Sequence, residues 1–63
     1  MEGSHIRAAR ERLGWTQVEL ARRAYINRRT VANIEAGRHM PRPNTLTSIK
    51  RALEATEKDF APL

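Results

Sequence analysis

Apolar residues recur along this chain at intervals of three and four positions, which is the period of an α-helix. Two such stripes lie near the two ends of the chain: Ile6, Ala9 and Leu13, and Leu46, Ile49 and Leu53. Gly14 follows the first stripe at the place where a helix needs a left-handed residue to stop. The pattern predicts a first helix from about Ser4 to Leu13, and a later helix, capped by Asn44, that carries the second stripe.

A capping signal marks the start of a second helix. Thr16 and Glu19 form the Thr-x-x-Glu pattern of a capping box, while Trp15 and Leu20 stand at the two positions of a hydrophobic staple. Helix 2 is therefore predicted to begin at Gln17. The staple also favours a packing role for Trp15 over a role in stacking on bases.

A second cap follows only a few residues later. Asn27 is a favourable N-cap residue, and Ile26 and Val31 repeat the staple spacing around it. Helix 2 must then end near Ala24, and helix 3 is predicted to run from Arg28 to about Ala36. Because two helices joined by about three residues cross steeply, this pair predicts a helix-turn-helix.

Beyond helix 3 the chain is predicted to form a loop and then to return to helix. Pro41 and Pro43 favour an extended loop between residues 38 and 44. Thr56 and Asp59 repeat the capping-box spacing, so a short fifth helical turn is expected, with Phe60 packed against helix 4. The predicted fold is all-α, a compact bundle of four to five helices.

Length and composition limit what else the chain contains. Its 63 residues leave room for one domain, which we take as residues 1–63. Residues 1–5 include the string Gly-Ser-His, which cloning also leaves behind, and we expect this start to be a tag or disordered. No membrane span and no signal peptide is predicted.

The residue types needed for catalysis or metal binding are scarce. The chain has no cysteine, and His5 and His39 lack further ligands at metal spacing, so neither a metal nor a cofactor is expected. The sequence also contains no Ser-His-acid arrangement and no glycine-rich phosphate loop. These features predict a protein that is not an enzyme.

The net charge of +5 is concentrated in the middle of the chain. Basic and acidic residues are equal in number in residues 1–21 and again in residues 43–63, whereas residues 22–42 hold six arginines and one acid, Glu35. Such a concentration predicts a surface that binds a polyanion, and a merely solvated basic face is the alternative.

A helical wheel divides predicted helix 3 into two faces. Val31 and Ile34 define the buried face. The opposite arc holds Arg28, Arg29, Ala32, Asn33 and Ala36. Arginine bonds the guanine edge, asparagine the adenine edge, and alanine contacts a thymine methyl. The first four residues of this arc are therefore predicted to contact bases, with phosphate binding as the alternative for the arginines and simple solvation for Asn33.

Ten residues match one known pattern at fixed spacing: Gln17, Leu20, Ala21, Ile26, Asn27, Thr30, Val31, Ile34, Glu35 and Gly37. The pattern resembles the Cro and phage-repressor type of helix-turn-helix, also called the XRE family, and the resemblance covers about Ile6 to Phe60. It implies a lambda-repressor-like fold in which helices 2 and 3 form the helix-turn-helix.

The resemblance also implies roles for single residues. Arg10 and Glu35 match a structural ion pair, and Gln17 matches a residue that bonds a phosphate and braces the recognition helix. The remaining phosphate contacts are expected from the cap and the first turn of helix 3 and from the loop that follows that helix. Those residues are Asn27, Thr30, Arg38 and Arg42, with His39 beside the last two.

One position departs from the family pattern. The family usually has glycine at the turn, where φ is positive, and this chain has Tyr25. Either the turn is reshaped here or the tyrosine ring or hydroxyl makes a useful contact, and a tolerated packing role is the favoured reading. If φ is positive, the strain is about 1 kcal/mol.

These features predict a transcriptional regulator, more specifically a repressor, that binds double-stranded DNA and inserts helix 3 into the major groove of a palindromic operator. A homodimer is expected, with its interface around Phe60 to Leu63. The alternative is a protein-interaction module such as an antitoxin or a bridging coactivator, with a toxin or a polymerase component as partner. The expected location is the cytoplasm of a prokaryote or phage host, in association with the nucleoid.

Overall fold

The computed structural model describes residues 2–60, and their side chains through residue 55. Within this range the chain forms four helices and no strand: α1 (Gly3–Arg12), α2 (Gln17–Ala24), α3 (Arg28–Glu35) and α4 (Pro43–Phe60). The predicted all-α bundle of four to five helices is confirmed, with four helices present. The dimer surface expected around Phe60 to Leu63 lies outside the described side chains.

All four helices contribute to one apolar core. The most deeply buried side chains are Ile6 from α1, Leu20 from α2, Val31 and Ile34 from α3, and Ile49 from α4. The second and third helices pack on each other, and α1 and α4 close the other sides of the core. Because α3 inserts its two aliphatic residues between the other helices, its opposite face is left open.

Side-chain caps fix the starts of α2 and α3 at the predicted residues. The hydroxyl of Thr16 accepts a hydrogen bond from the amide of Glu19 at 3.1 Å. The side-chain oxygen of Asn27 accepts from the amide of Arg29 at 2.8 Å. Each cap satisfies one amide that has no partner within its helix, so both helices begin at fixed residues.

The first three helices end in the same hydrogen-bonded turn. In each, two amides just beyond the helix donate hydrogen bonds to carbonyls in its last turns. At the end of α2, the amide of Ile26 donates to the carbonyl of Ala21 at 2.9 Å. The amide of Tyr25 donates to the carbonyl of Arg22 at 3.3 Å. The corresponding pairs end α1 around Gly14 and α3 around Gly37. This Schellman turn requires a left-handed residue. In the three turns, this residue is Gly14, Tyr25 and Gly37, with φ of 75°, 57° and 76° respectively.

Two details of α4 differ from the prediction. The helix begins at Pro43, and the amide of Leu46 donates to the carbonyl of Arg42 at 2.8 Å, so Asn44 is not its cap. Proline suits the first helical position because its ring presets φ and the missing amide hydrogen would have no partner there. The predicted break at Thr56 is also wrong, since α4 continues without interruption to Phe60.

The beginning of the chain takes part in the first helix. Gly3, Ser4 and His5 form the start of α1. A Cβ placed on Gly3 would overlap the carbonyl oxygen of Ile34. Glycine at this position therefore lets the start of α1 lie directly against the backbone at the end of α3.

Candidate nucleic-acid interface

The open face of α3 carries the four residues predicted to contact bases. Arg28 and Arg29 are exposed in its first turn, and Ala32 and Asn33 are half-buried one turn later. The buried Val31 and Ile34 hold the opposite side of the helix in the core. The periodic pattern therefore divides α3 between packing and a surface available to a partner.

One groove beside α3 brings predicted base and phosphate contacts together. Arg29, Thr30 and Asn33 from the helix line it on one side, and His39 and Arg42 from the following loop line the other. Both arginines are exposed. A cationic group on each side of an open groove is suited to an anionic backbone that passes between them.

A second groove lies along the other flank of α3. Ala32 and Ala36 line it together with Gln17 at the first position of α2 and with Arg10. Because the two alanine side chains are small, a large partner has room to approach the backbone of α3 on this flank. Arg28 and Arg38 are exposed but line neither of these two grooves.

A charged network below the second groove fixes the position of α3. Arg10 donates from Nε to Glu35 Oε2 at 2.7 Å and from Nη2 to Glu35 Oε1 at 3.0 Å. Its Nη1 donates to the carbonyl oxygen of Trp15 at 2.7 Å, and Gln17 Nε2 donates to Glu35 Oε1 at 3.2 Å. One arginine thus connects α1, the turn after it and α3.

This network is shielded from water, and its arginine stays charged. The side chains of Arg10 and Glu35 are only 11% and 4% exposed. The hydrogen bond to Glu35 raises the pKa of the Arg10 guanidinium above its ordinary value, and burial opposes that change only in part. Arg10 therefore remains a cation over the whole pH range in which proteins fold.

The network also removes the negative charge from the surface around α3. Glu35 is the single acid within residues 22–42, and its carboxylate faces inward and is paired. Arg22, whose side chain is 77% exposed, and the exposed Arg28, Arg29 and Arg38 remain outside. The first turn of α3 holds no acidic residue, although the helix dipole favours one there.

A family model described as helix-turn-helix matches residues 6–60. The chain belongs to the XRE family of Cro/C1-type helix-turn-helix proteins. This family consists of DNA-binding domains and not of enzymes, so the exposed cationic face belongs to a DNA-binding transcription regulator. Among curated proteins and among solved structures, none matches the chain.

In this XRE-family domain, the unusual residue at the turn, Tyr25, is exposed to solvent. Tyr25 has φ 57° and ψ 41°, so the turn keeps the family geometry and is not reshaped around the larger residue. Its side chain is 94% exposed, and the expectation that it packs is wrong. The sequence identified the strained position, but exposure depends on how the finished helices meet.

Trp15 has the packing role that its staple position predicts. It is 8% exposed and belongs to the core. Arg23 lies over its ring, with the guanidinium carbon 4.6 Å from the ring centre, and Glu19 in turn accepts from Arg23 Nε at 3.0 Å. This arrangement covers the indole, so its faces are not a platform for bases.

Metal binding and membrane insertion find no support in the described part of the chain. Its described side chains, which extend through residue 55, include no group of three or more placed to ligate a metal ion. Within residues 2–60, the helices are too short or too polar to cross a membrane.

Proposed function

We propose that the protein is a sequence-specific repressor that inserts α3 into the major groove of a palindromic operator. The observation that carries this proposal is the arrangement of charge around α3. The only acid of the central segment is buried against Arg10, and the exposed charged residues on the open side are arginines. A uniformly cationic face around a protruding helix suits the phosphate-lined major groove.

Bases are read by residues of the open face of α3. Arg28 and Arg29 present guanidinium groups able to bond O6 and N7 of guanine, and Asn33 presents an amide suited to adenine. Ala32 contacts a thymine methyl and lets the helix approach closely. Because Val31 and Ile34 anchor the other side in the core, these groups are held on a rigid element, as discrimination between bases requires.

Phosphates are contacted on both sides of the helix. Gln17 uses one amide hydrogen on Glu35 and retains another for a phosphate oxygen, so it ties the DNA backbone to the network that positions α3. Asn27 and Thr30 contact phosphate near the first turn of α3, and Arg38 and Arg42 do so after its end. Such contacts fix register and supply affinity without reading sequence.

A homodimer is the form we expect on DNA. One module of this size buries too little surface for tight specific binding, and two copies of α3 spaced by one helical turn, about 34 Å, would read two half-sites. Repression then follows from occupation of the promoter. Binding of a toxin or a polymerase component, as in an antitoxin or a bridging coactivator, is the alternative function.

Selection from a randomised duplex pool at near-physiological salt tests the proposal. Retained sequences should share an inverted repeat whose half-sites lie about ten base pairs apart. Enrichment of a single half-site would remove the dimer but keep the sequence-specific regulator. Weak, salt-sensitive retention without enrichment would overturn the proposal and favour the protein-partner alternative.

A further inference from the structure

Tyr25 is the exception among three otherwise equivalent helix ends. The same Schellman turn closes α1, α2 and α3, and its left-handed residue is Gly14, Tyr25 and Gly37 in turn. Residues with a Cβ are strained in this conformation, whereas glycine is not. The chain therefore uses the unstrained residue twice and accepts strain once, at the turn between α2 and α3.

Packing within the protein does not explain this choice. Tyr25 is 94% exposed, which is more than any other large apolar or aromatic residue among the described side chains. Its ring thus gains little from burial, although an aromatic side chain normally contributes most when it is buried. Strain without compensating contacts in the free protein points to a contact made with a partner.

The charges around Tyr25 indicate the chemistry of that partner. Arg22 precedes it by one helical turn, and Arg28 and Arg29 follow it at the start of α3. The nearby acid Glu19 is paired with Arg22 at 4.0 Å and with Arg23 at 3.0 Å. Glu35 is buried in its ion pair with Arg10. A phenol among exposed arginines is suited to an anionic partner, and its hydroxyl is a hydrogen-bond donor to phosphate.

We infer that the Tyr25 hydroxyl donates a hydrogen bond to a DNA phosphate beside the first turn of α3. The inference rests on the proposed function and extends the interface from α3 and its following loop to the turn before it. Because a phosphate contact does not read bases, it should support binding to any duplex. A tyrosine side chain brings no positive charge to the phosphate, so it should add affinity without adding to the salt dependence.

Two substitutions at this position separate strain from contact. Tyr25→Phe removes only the hydroxyl and keeps the backbone strain, so the melting temperature should stay unchanged while affinity for a mixed-sequence duplex of about 20 base pairs falls about tenfold. Tyr25→Gly should bind at least as weakly, and relief of strain should raise the melting temperature by about 5 °C. Neither variant should alter the slope of affinity against salt.

A direct probe is available because the chain has a single tyrosine. In a sample labelled with ¹³C-tyrosine, the ring signals should shift when the mixed-sequence duplex is added. If the wild-type protein binds the duplex but Tyr25→Phe binds equally well, or the ring signals stay unmoved, the inference is wrong and the proposed function stands. If the wild-type protein binds no duplex, both are wrong.

Discussion

Arg10 is one side chain on which three segments depend. Its guanidinium uses Nε and Nη2 on Glu35 and Nη1 on the carbonyl of Trp15, all at 3.0 Å or less. Removing it would leave the nearly buried carboxylate with only the Gln17 amide as a donor and the buried carbonyl of Trp15 without its arginine donor. Loss of one partner from such a pair costs about 3–5 kcal/mol, which is a large part of the stability of a small domain.

Arg10→Gln is therefore expected to lower the free energy of unfolding by about 3–5 kcal/mol, measured by urea titration of the Trp15 fluorescence. Arg7→Gln is the matched control, because Arg7 lies one turn away on α1 and pairs with Glu11 in a bridge whose side chains are 65% and 54% exposed. It should change stability little. Similar losses for both variants would contradict a special role for the Arg10 network.

Gly3 is a second residue whose importance comes from a distant contact. Gly3→Ala should favour helix locally, but the added methyl would meet the carbonyl oxygen of Ile34 and force α1 and α3 apart. We expect a loss of about 1–3 kcal/mol, the usual cost of overpacking, in thermal and urea unfolding. Ser4→Ala, at the exposed neighbouring position, should leave stability unchanged or slightly higher.

At the scale of the helices, the start of α3 depends on Asn27. Its side-chain oxygen holds the amide of Arg29, where two arginines at a helix N-terminus already oppose the dipole. Asn27→Ala should cost about 1 kcal/mol in urea unfolding, whereas Asn27→Ser should retain the cap and most of the stability. Equal destabilisation by both variants would indicate that the asparagine acts through another contact.

Short sequence patterns predicted the helices best where the stabilising hydrogen bonds join residues close together in the chain. Thr16 and Asn27 cap their helices through bonds to amides two or three residues away, so short sequence patterns identify both starts. At Thr56 the same capping-box spacing occurs inside an unbroken helix. Such a residue begins a new helix only where the preceding helix has already ended. Gly3 gave no local signal, since its neighbour Ile34 lies far along the chain.

Over the whole molecule, the proposed interface assigns base reading and general attraction to charges at different positions. Arg29 lies on the open face of α3, and Arg38 lies after its end. Arg29→Ala should weaken binding to the selected operator by about 1–3 kcal/mol and affect a random duplex much less. Arg38→Ala should weaken both duplexes alike and reduce the slope of log affinity against log salt by about one.

Titration of labelled operator and random duplex at several salt concentrations measures both effects. Each variant serves as the control for the other, because both remove one exposed arginine. Equal losses on both duplexes for both variants would contradict base reading by Arg29. The result would then reassign the arginine of α3 to phosphate contact.

The sequence indicated which residues of α3 share its open face better than it indicated the surroundings of that face. Periodicity separated Arg28, Arg29, Ala32 and Asn33 from the buried side of α3, because helical spacing alone decides which residues share a face. The grooves on the two flanks depend on how the loop after α3 and the start of α2 pack beside it. Those placements follow from tertiary packing and leave no local pattern in the sequence.

The division of α3 between Val31 and Ile34 on one side and its exposed residues on the other has a consequence for how binding preference changes. The side chains proposed to read bases take no part in the core, so their replacement alters the preferred DNA sequence at little cost in folding. On the proposed function, new operator preferences are thus accessible by single substitutions, and this small domain is suited as a scaffold for grafted recognition residues.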